Sequence, residues 1–208
     1  MIEVSELKKK YDDKYVVKGI SFSVKKGEIF GILGPNGAGK TTTLEMMESL
    51  RPIDHGSVII DGINVTENQQ KIRRIIGVQP QSASFQDKTK LTELLELFAA
   101  AYGEKVHARK TLREVQLEDK ANSYVENLSG GQRQRFSIAA ALVHKPKVFF
   151  LDEPTTGLDP QARRNLWDLI RQVRDQGVTV IMTTHYMEEA ELLCDRIAIM
   201  DDGKIIAE

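Results

Sequence analysis

Between an apolar strand-like run and a helical run, the sequence places Gly34-Pro35-Asn36-Gly37-Ala38-Gly39-Lys40-Thr41-Thr42. The preceding Glu28-Ile29-Phe30-Gly31-Ile32-Leu33 has the pattern of a buried strand, and the helix that follows extends from about Lys40 to Leu50, stopped by Pro52. The glycines let the backbone bend and turn its N–H groups inward, which makes a concavity for phosphate oxygens. The helix N-terminus adds unsatisfied donors and a positive dipole end. Lys40 is placed to reach terminal phosphates, and the Thr41 hydroxyl to ligate Mg²⁺. A dinucleotide-binding turn is the competing glycine-rich arrangement, but Lys40-Thr41 stands where that turn needs small residues against the sheet. The spacing G-x-x-x-x-G-K-T in this context predicts a nucleoside triphosphate site.

Val148-Phe149-Phe150-Leu151 then forms a second apolar run, ending in Asp152-Glu153. So buried a strand is a rigid rail that carries its last side chains to the crevice at the C-terminal edge of an open α/β sheet. There Asp152 suits Mg²⁺ coordination, and Glu153 suits polarising the water that attacks a γ-phosphate.

Strands and helices alternate around these two motifs. Lys18–Val24 alternates, and Ser57–Val65 reads as a hairpin on the Asp61-Gly62 turn. Helices are expected over about Gly131–His144, Pro160–Gln176 and Met187–Cys194, with strands at Val178–Met182 and a final pair over Arg196–Ala207 turning at Asp202-Gly203. From Ser82 to Asn127 the pattern is helical instead, through Leu91, Leu94, Leu95, Leu97 and Phe98 and then Val106, Leu112 and Val115. The expected class is α/β: a largely parallel sheet covered by helices, with residues 1–81 and 128–208 as core and 82–127 as a helical insert.

Composition narrows the function. The 208 residues carry a net charge of −1, with 41% hydrophobic and 28% charged. This is enough chain for a sizeable core, and it offers no basic footprint for nucleic acid or an anionic membrane. Cys194 is the sole cysteine, so no internal disulfide is possible. Its neighbours Leu192 and Leu193 make it a buried structural thiol. The apolar runs fall short of the about 20 residues a spanning helix needs, and MIEVSELKKKY lacks a signal-peptide core. A cytoplasmic protein is expected. His55, His107 and His144 read as surface or loop residues, without metal-ligand spacing. Trp167 falls on a helix's core face and Arg163-Arg164 on its solvated face.

Leu128-Ser129-Gly130-Gly131-Gln132 precedes a helix with Phe136, Ala139, Ala140 and Val143 on its apolar face. Ser129 is a good N-cap, and the glycines permit close backbone approach. From these residues alone, a simply capped helix and a second anion site stand side by side.

LSGGQ followed by RQR, then LDEPTTGLDP, with His185 closing a later strand, strongly resembles the ATP-binding subunits of ABC transporters. The likeness runs over essentially the whole chain. It implies a P-loop NTPase core with an N-terminal antiparallel β part, using ATP and Mg²⁺. It also implies a pair of such subunits, identical or closely related, that sandwich two ATP molecules. Each site would combine the phosphate loop of one subunit with Ser129, Gly130, Gly131 and Gln132 of the other. Tyr11 matches the aromatic that stacks on adenine; taken alone it is a surface strand residue. Gln81 matches the glutamine that meets Mg²⁺ and the attacking water, although Gln79 departs from the apolar or aromatic residue usual nearby. Asp159 matches the loop crossing between subunits, and His185 the γ-phosphate sensor.

The same resemblance implies a transmembrane permease subunit as partner, met through the helical insert, and a peripheral position on the inner face of the cell membrane. It also leads us to expect chain beyond Glu208. Leu91–Phe98 and the Ala-rich stretch after it resemble the branch exporting drugs, lipids or polymers. An importer subunit, or a relative acting on DNA or the ribosome, is the alternative. Against the latter, the sequence has no tandem module, long coiled-coil insert or zinc-ligating cysteines. A phosphate-loop kinase or GTPase would leave LSGGQ unexplained.

Overall fold

A strand sealed on both faces must be largely apolar, with any buried polar side chain hydrogen-bonded, and three runs here meet that condition. In the computed structural model, which describes residues 1–81 and 84–208, β3 (Ile29–Leu33), β7 (Val148–Asp152) and β8 (Thr179–Thr184) are buried at every position. They form the middle of a six-stranded sheet completed by β6 (Ile76–Gln79), β9 (Arg196–Asp201) and β10 (Lys204–Ala207), in the order β10-β9-β3-β8-β7-β6. The five strands β9, β3, β8, β7 and β6 run parallel, and β10 is an antiparallel edge.

Alternate residues of these strands serve two different cores. Ile29, Phe149, Leu151, Val180 and Met182 face α5 (Gly130–Leu142), α6 (Pro160–Asp175) and the helices α3 (Leu91–Ala101) and α4 (Ala108–Glu114). Phe30, Ile32, Val148, Phe150 and Ile181 face α1 (Lys40–Met47) and a second sheet. That second sheet is antiparallel, ordered β2-β1-β4-β5 from β1 (Ile2–Tyr11), β2 (Lys14–Val24), β4 (His55–Ile60) and β5 (Ile63–Asn64). α2 (Gln69–Ile75) lies before β6, and α7 (Met187–Leu193) follows β8. The expected α/β class, the parallel sheet, the Asp61-Gly62 hairpin and the closing strand pair are all present.

Several details differ from expectation. Residues 82 and 83, expected to open the helical insert, lie outside the described residues. α1 ends at Met47 rather than Leu50, because Ser49 takes a left-handed φ of 60° that breaks the turn. α2 and β6 carried no clear periodicity and were not anticipated as elements. His144 is not a plain surface residue: its ring stacks on Tyr102 with centroids 3.9 Å apart, and its Nε2 lies 2.8 Å from the Ile76 carbonyl. Burial pushes its pKa below the usual imidazole range. Thus it ties the end of α3 to the start of β6. Trp167 is buried as expected and donates to Glu189 Oε1 at 2.9 Å. Among the described residues, no helix is long and apolar enough to cross a membrane.

Candidate functional site

Parallel register brings the strand ends to one rim. Leu33 stands opposite Thr184, Asp152 opposite Thr183, and Gln79 opposite Leu151. The segments leaving these strands therefore emerge side by side: the phosphate loop, Glu153, His185 and Gln81.

The loop itself allows no side chain at two of its glycines. A Cβ on Gly34 would meet the Met200 carbonyl oxygen at 2.1 Å, and Gly39 holds a φ of 102° that strains any other residue. The Gly34 N–H donates to the Thr184 carbonyl at 3.2 Å, and the Gly203 N–H to the Ala38 carbonyl at 3.0 Å. The β9–β10 turn thus props the loop from below. Nothing in the spacing of the motif pointed to that support. Pro35, Asn36 and Gly37 remain exposed at the crest, while Ala38, Gly39 and Lys40 are buried and Thr41 and Thr42 open α1.

Lys40, 4% exposed, donates to the carbonyls of Gly34 at 2.9 Å and Pro35 at 3.0 Å, and sits 3.2 Å from Glu153 Oε1. Thr41 donates to Asp152, with its Oγ1 2.9 Å from Oδ2 and 3.2 Å from Oδ1. On the other side, the Thr183 hydroxyl donates to Asp152 Oδ1 at 2.5 Å and accepts the Glu153 N–H at 3.0 Å. Glu153 adopts a φ of 45°, a left-handed conformation rare for a residue with a side chain. Its Oε2 is 3.4 Å from Gln81 Nε2 and 3.2 Å from His185 Nδ1. The His185 nitrogen lacks the angle for a hydrogen bond and is a buried, unpartnered polar atom. The His185 ring lies 4.0 Å from that of Tyr186, over which the Arg163 guanidinium sits at 4.5 Å. Arg163 is therefore engaged in a contact between α6 and the segment after β8, and is not simply solvated.

Six of the expected site residues converge here: Lys40, Thr41, Gln81, Asp152, Glu153 and His185. The Thr41 hydroxyl and the Asp152 carboxylate, 2.9 Å apart, form an all-oxygen donor set, while the Gln81 carboxamide lies at Glu153. Such a set fits Mg²⁺, which is commonly held by one or two carboxylates together with substrate phosphates. Among the described residues, no cluster of three or more His, Cys, Asp and Glu residues forms a metal cage of its own.

Tyr11 ends β1, partly exposed, with Lys9 Nζ 5.6 Å and Arg51 Cζ 5.4 Å from its ring centroid. Ser129 and Asp159 lie on a different part of the chain, as N-caps of α5 and α6. The Ser129 Oγ accepts the Gln132 N–H at 3.3 Å while Gln132 Oε1 accepts the Ser129 N–H at 3.0 Å, a reciprocal capping box. Asp159 Oδ1 accepts the N–H groups of Gln161 and Ala162 at 3.0 and 2.9 Å. Gly130, Gly131 and Gln132 form the first turn of α5, and Gly131 faces Ala162 of α6. Both caps are exposed, and their hydrogen bonds stay within their own helix starts.

Fold and rim together define a phosphate-loop ATPase. A family model described as ABC transporter matches residues 17–156. The linearmycin resistance ATP-binding protein of Bacillus subtilis (strain 168) is 43% identical over 212 residues, spanning 100% of this chain and 68% of that protein. The Nod factor export ATP-binding protein I of Burkholderia pseudomallei (strain 1710b) is 45% identical over 212 residues, spanning 100% and 70%. A solved ATP binding subunit of an ABC transporter superposes with a TM-score of 0.88 at 30% identity, covering 100% of this chain and 88% of that one. A dimeric post-hydrolysis ATP-binding cassette bound to ADP and Pi gives 0.88 at 28% identity, covering 100% and 97%. This chain belongs to the ABC transporter family and is an ATP-binding, ATP-hydrolysing subunit of it.

Proposed function

We propose that this chain drives export: it binds Mg²⁺–ATP at the rim, closes against a second nucleotide-binding subunit, and works a separate transmembrane permease from the inner face of the cell membrane. The observation that carries this reading is the convergence of Lys40, Thr41, Gln81, Asp152, Glu153 and His185 on one sheet edge. Export is favoured because the Bacillus and Burkholderia relatives are named for resistance and export.

In this reading backbone N–H groups of the loop beyond Pro35 cradle the phosphates, Lys40 contacts the terminal ones, and Tyr11 stacks on adenine. Thr41, Asp152 and Gln81 hold Mg²⁺, which supplies charge neutralisation at the β- and γ-phosphates. Glu153 accepts the proton of the attacking water, and His185 senses the γ-phosphate. The protein contributes position and charge, with little covalent chemistry. Ser129, Gly130, Gly131, Gln132 and Asp159 lie on helix starts away from this rim and serve the partner's nucleotide. The helical insert, described from residue 84 to 127, meets the permease.

ATP hydrolysis by the purified chain, alone and with copurifying membrane protein, tests the reading. Activity that requires Mg²⁺ and disappears on chelation is expected. Hydrolysis that persists without a divalent cation would overturn the proposed chemistry.

A further inference from the structure

The carboxylate pair hangs on a residue that neither the phosphate loop nor the acidic motif contains. Thr183 lies fully buried in β8, in direct parallel register with Asp152 of β7. Its side chain has one proton to give and two lone pairs, and both functions are used. The proton goes to Asp152 Oδ1 across 2.5 Å, within the range of a charge-assisted O–H···O⁻ bond. A lone pair takes the Glu153 N–H at 3.0 Å, in the residue whose φ of 45° needs a fixed anchor.

We infer that Thr183 is a positioning residue for Mg²⁺ binding and hydrolysis: it fixes the rotation of the Asp152 carboxylate and the backbone of Glu153 together. The distinction from Thr41 follows from geometry. Thr41 bonds Asp152 from the nucleotide side and opens α1, so its hydroxyl leaves Asp152 when it turns to a metal ion. Thr183 approaches from inside the sheet, where neither nucleotide nor water competes. It holds Oδ1 whether or not Thr41 stays, which leaves Oδ2 directed at the loop. Because Thr183 lies two residues before His185, the same strand end also sets the third catalytic group. A valine here would keep the shape and the β-branched strand preference, but would leave Asp152 Oδ1 with only the longer Thr41 contact and the Glu153 N–H without its acceptor.

The inference rests on the assignment of Asp152 to Mg²⁺, and the test keeps the two apart. Mn²⁺ binding to the full chain with a non-hydrolysable ATP analogue is followed by electron paramagnetic resonance for wild type, Thr183→Val, Thr183→Ser and Asp152→Asn. Metal-free nucleotide affinity and steady-state hydrolysis are measured beside it. Losing an outer-shell partner of a metal ligand typically costs about 10–100-fold in metal affinity or activity. Thr183→Val should weaken Mn²⁺ binding and slow kcat by a factor in that range. Metal-free nucleotide affinity should stay within about twofold, and Thr183→Ser should recover most of the loss. In an Asp152→Asn background, Thr183→Val should weaken Mn²⁺ little further. Should Thr183→Val fail to fold, Thr183→Ala removes the same hydroxyl without adding a methyl. Wild-type Mn²⁺ affinity in Thr183→Val or Thr183→Ala overturns the role of Thr183. So does a Thr183→Ser variant that folds yet is as impaired as the valine, since that makes the methyl the important group. If Asp152→Asn binds Mn²⁺ like wild type, the assignment of Asp152 itself falls.

Discussion

Lys40 Nζ and Glu153 Oε1 face each other at 3.2 Å as a charged pair. In the proposed mechanism the lysine turns from the glutamate to the phosphates of ATP, which would free Glu153 Oε1 for water. The two residues should therefore fail differently. Lys40→Ala removes a charge at the phosphates and should weaken Mg²⁺–ATP binding. Glu153→Gln should retain binding while lowering turnover by ~10²-fold or more, in line with a lost general base. ATP affinity and steady-state hydrolysis separate them. Near-normal hydrolysis in Glu153→Gln removes Glu153 from catalysis.

His185 stands on the same carboxylate, yet its buried Nδ1 is unpartnered. The proposed mechanism gives this imidazole the γ-phosphate as its partner. His185→Ala should slow hydrolysis strongly and change ADP affinity little, because ADP lacks that group. Calorimetry with ADP decides the matter. A variant that loses ADP binding and melts several degrees lower shows a structural histidine instead.

Glu48, at the end of α1 and buried, has its pKa pushed up to about 8 by desolvation first, and then by the charges of Asp152 and Glu45. Its ordinary value is 4.5. Between these values the folded chain keeps a proton that the unfolded chain has released, so stability falls as pH rises through the window. The loss is at most about 1.4 kcal/mol per pH unit crossed. Glu48→Gln, neutral at every pH, should match wild type in melting temperature at pH 4.5 and exceed it increasingly towards pH 8. Melting curves of the nucleotide-free chain across that range are the check. A difference that does not change with pH would mean that Glu48 does not titrate in this way.

Cys194 has its pKa raised to about 12, chiefly by burial, with Glu189 and Asp195 adding to it. The thiolate is the reactive form, so at pH 8 the native thiol should resist alkylation. Iodoacetamide labelling followed by mass spectrometry should show modification after denaturation and nearly none before. Rapid labelling of the native chain contradicts a buried, neutral thiol.

The residues proposed to touch phosphate and metal are legible in the sequence because each motif reports its own local structure. A buried strand followed by glycines and Lys40-Thr41 gives the loop, and an apolar run ending in Asp152-Glu153 gives the rail. What joins them was not legible. Thr183 lies 31 positions from Asp152 and bonds it only because two parallel strands align. Its signal is slight: a hydroxyl directly after the apolar Val180–Met182 stretch, one of three threonines in β8. The Gly203–Ala38 bond, which brings the last hairpin under the phosphate loop, is equally non-local. His144 was misread because its stacking partner, Tyr102, arrives from a separate helix. Sequence patterns report periodicity and caps well, and contacts set by sheet register poorly.

Ser129 carries the reading that depends on a second subunit. In the capping box its oxygen accepts the Gln132 N–H, which leaves the hydroxyl proton free to donate to a phosphate placed above α5. If that phosphate belongs to the partner's ATP, a mixture of Lys40→Ala chains and Ser129→Arg chains distributes the damage unevenly. One site of the mixed dimer combines the altered loop of the first chain with the altered cap of the second. The other pairs the second chain's normal Lys40 with the first chain's normal Ser129 and is intact. Each variant alone has a defect in every site and should be nearly inactive. Mixing should restore hydrolysis to roughly a quarter of wild type, for random pairing and independent sites of the kind that interface additivity describes. If Ser129 serves its own chain's loop, every site in the mixture carries one defect and nothing is restored. Coupling between sites would also suppress recovery, so the experiment includes cysteines placed in the phosphate loop and beside Ser129 for cross-linking. Recovered hydrolysis, or a cross-link between chains, supports the shared site. The absence of both defeats it.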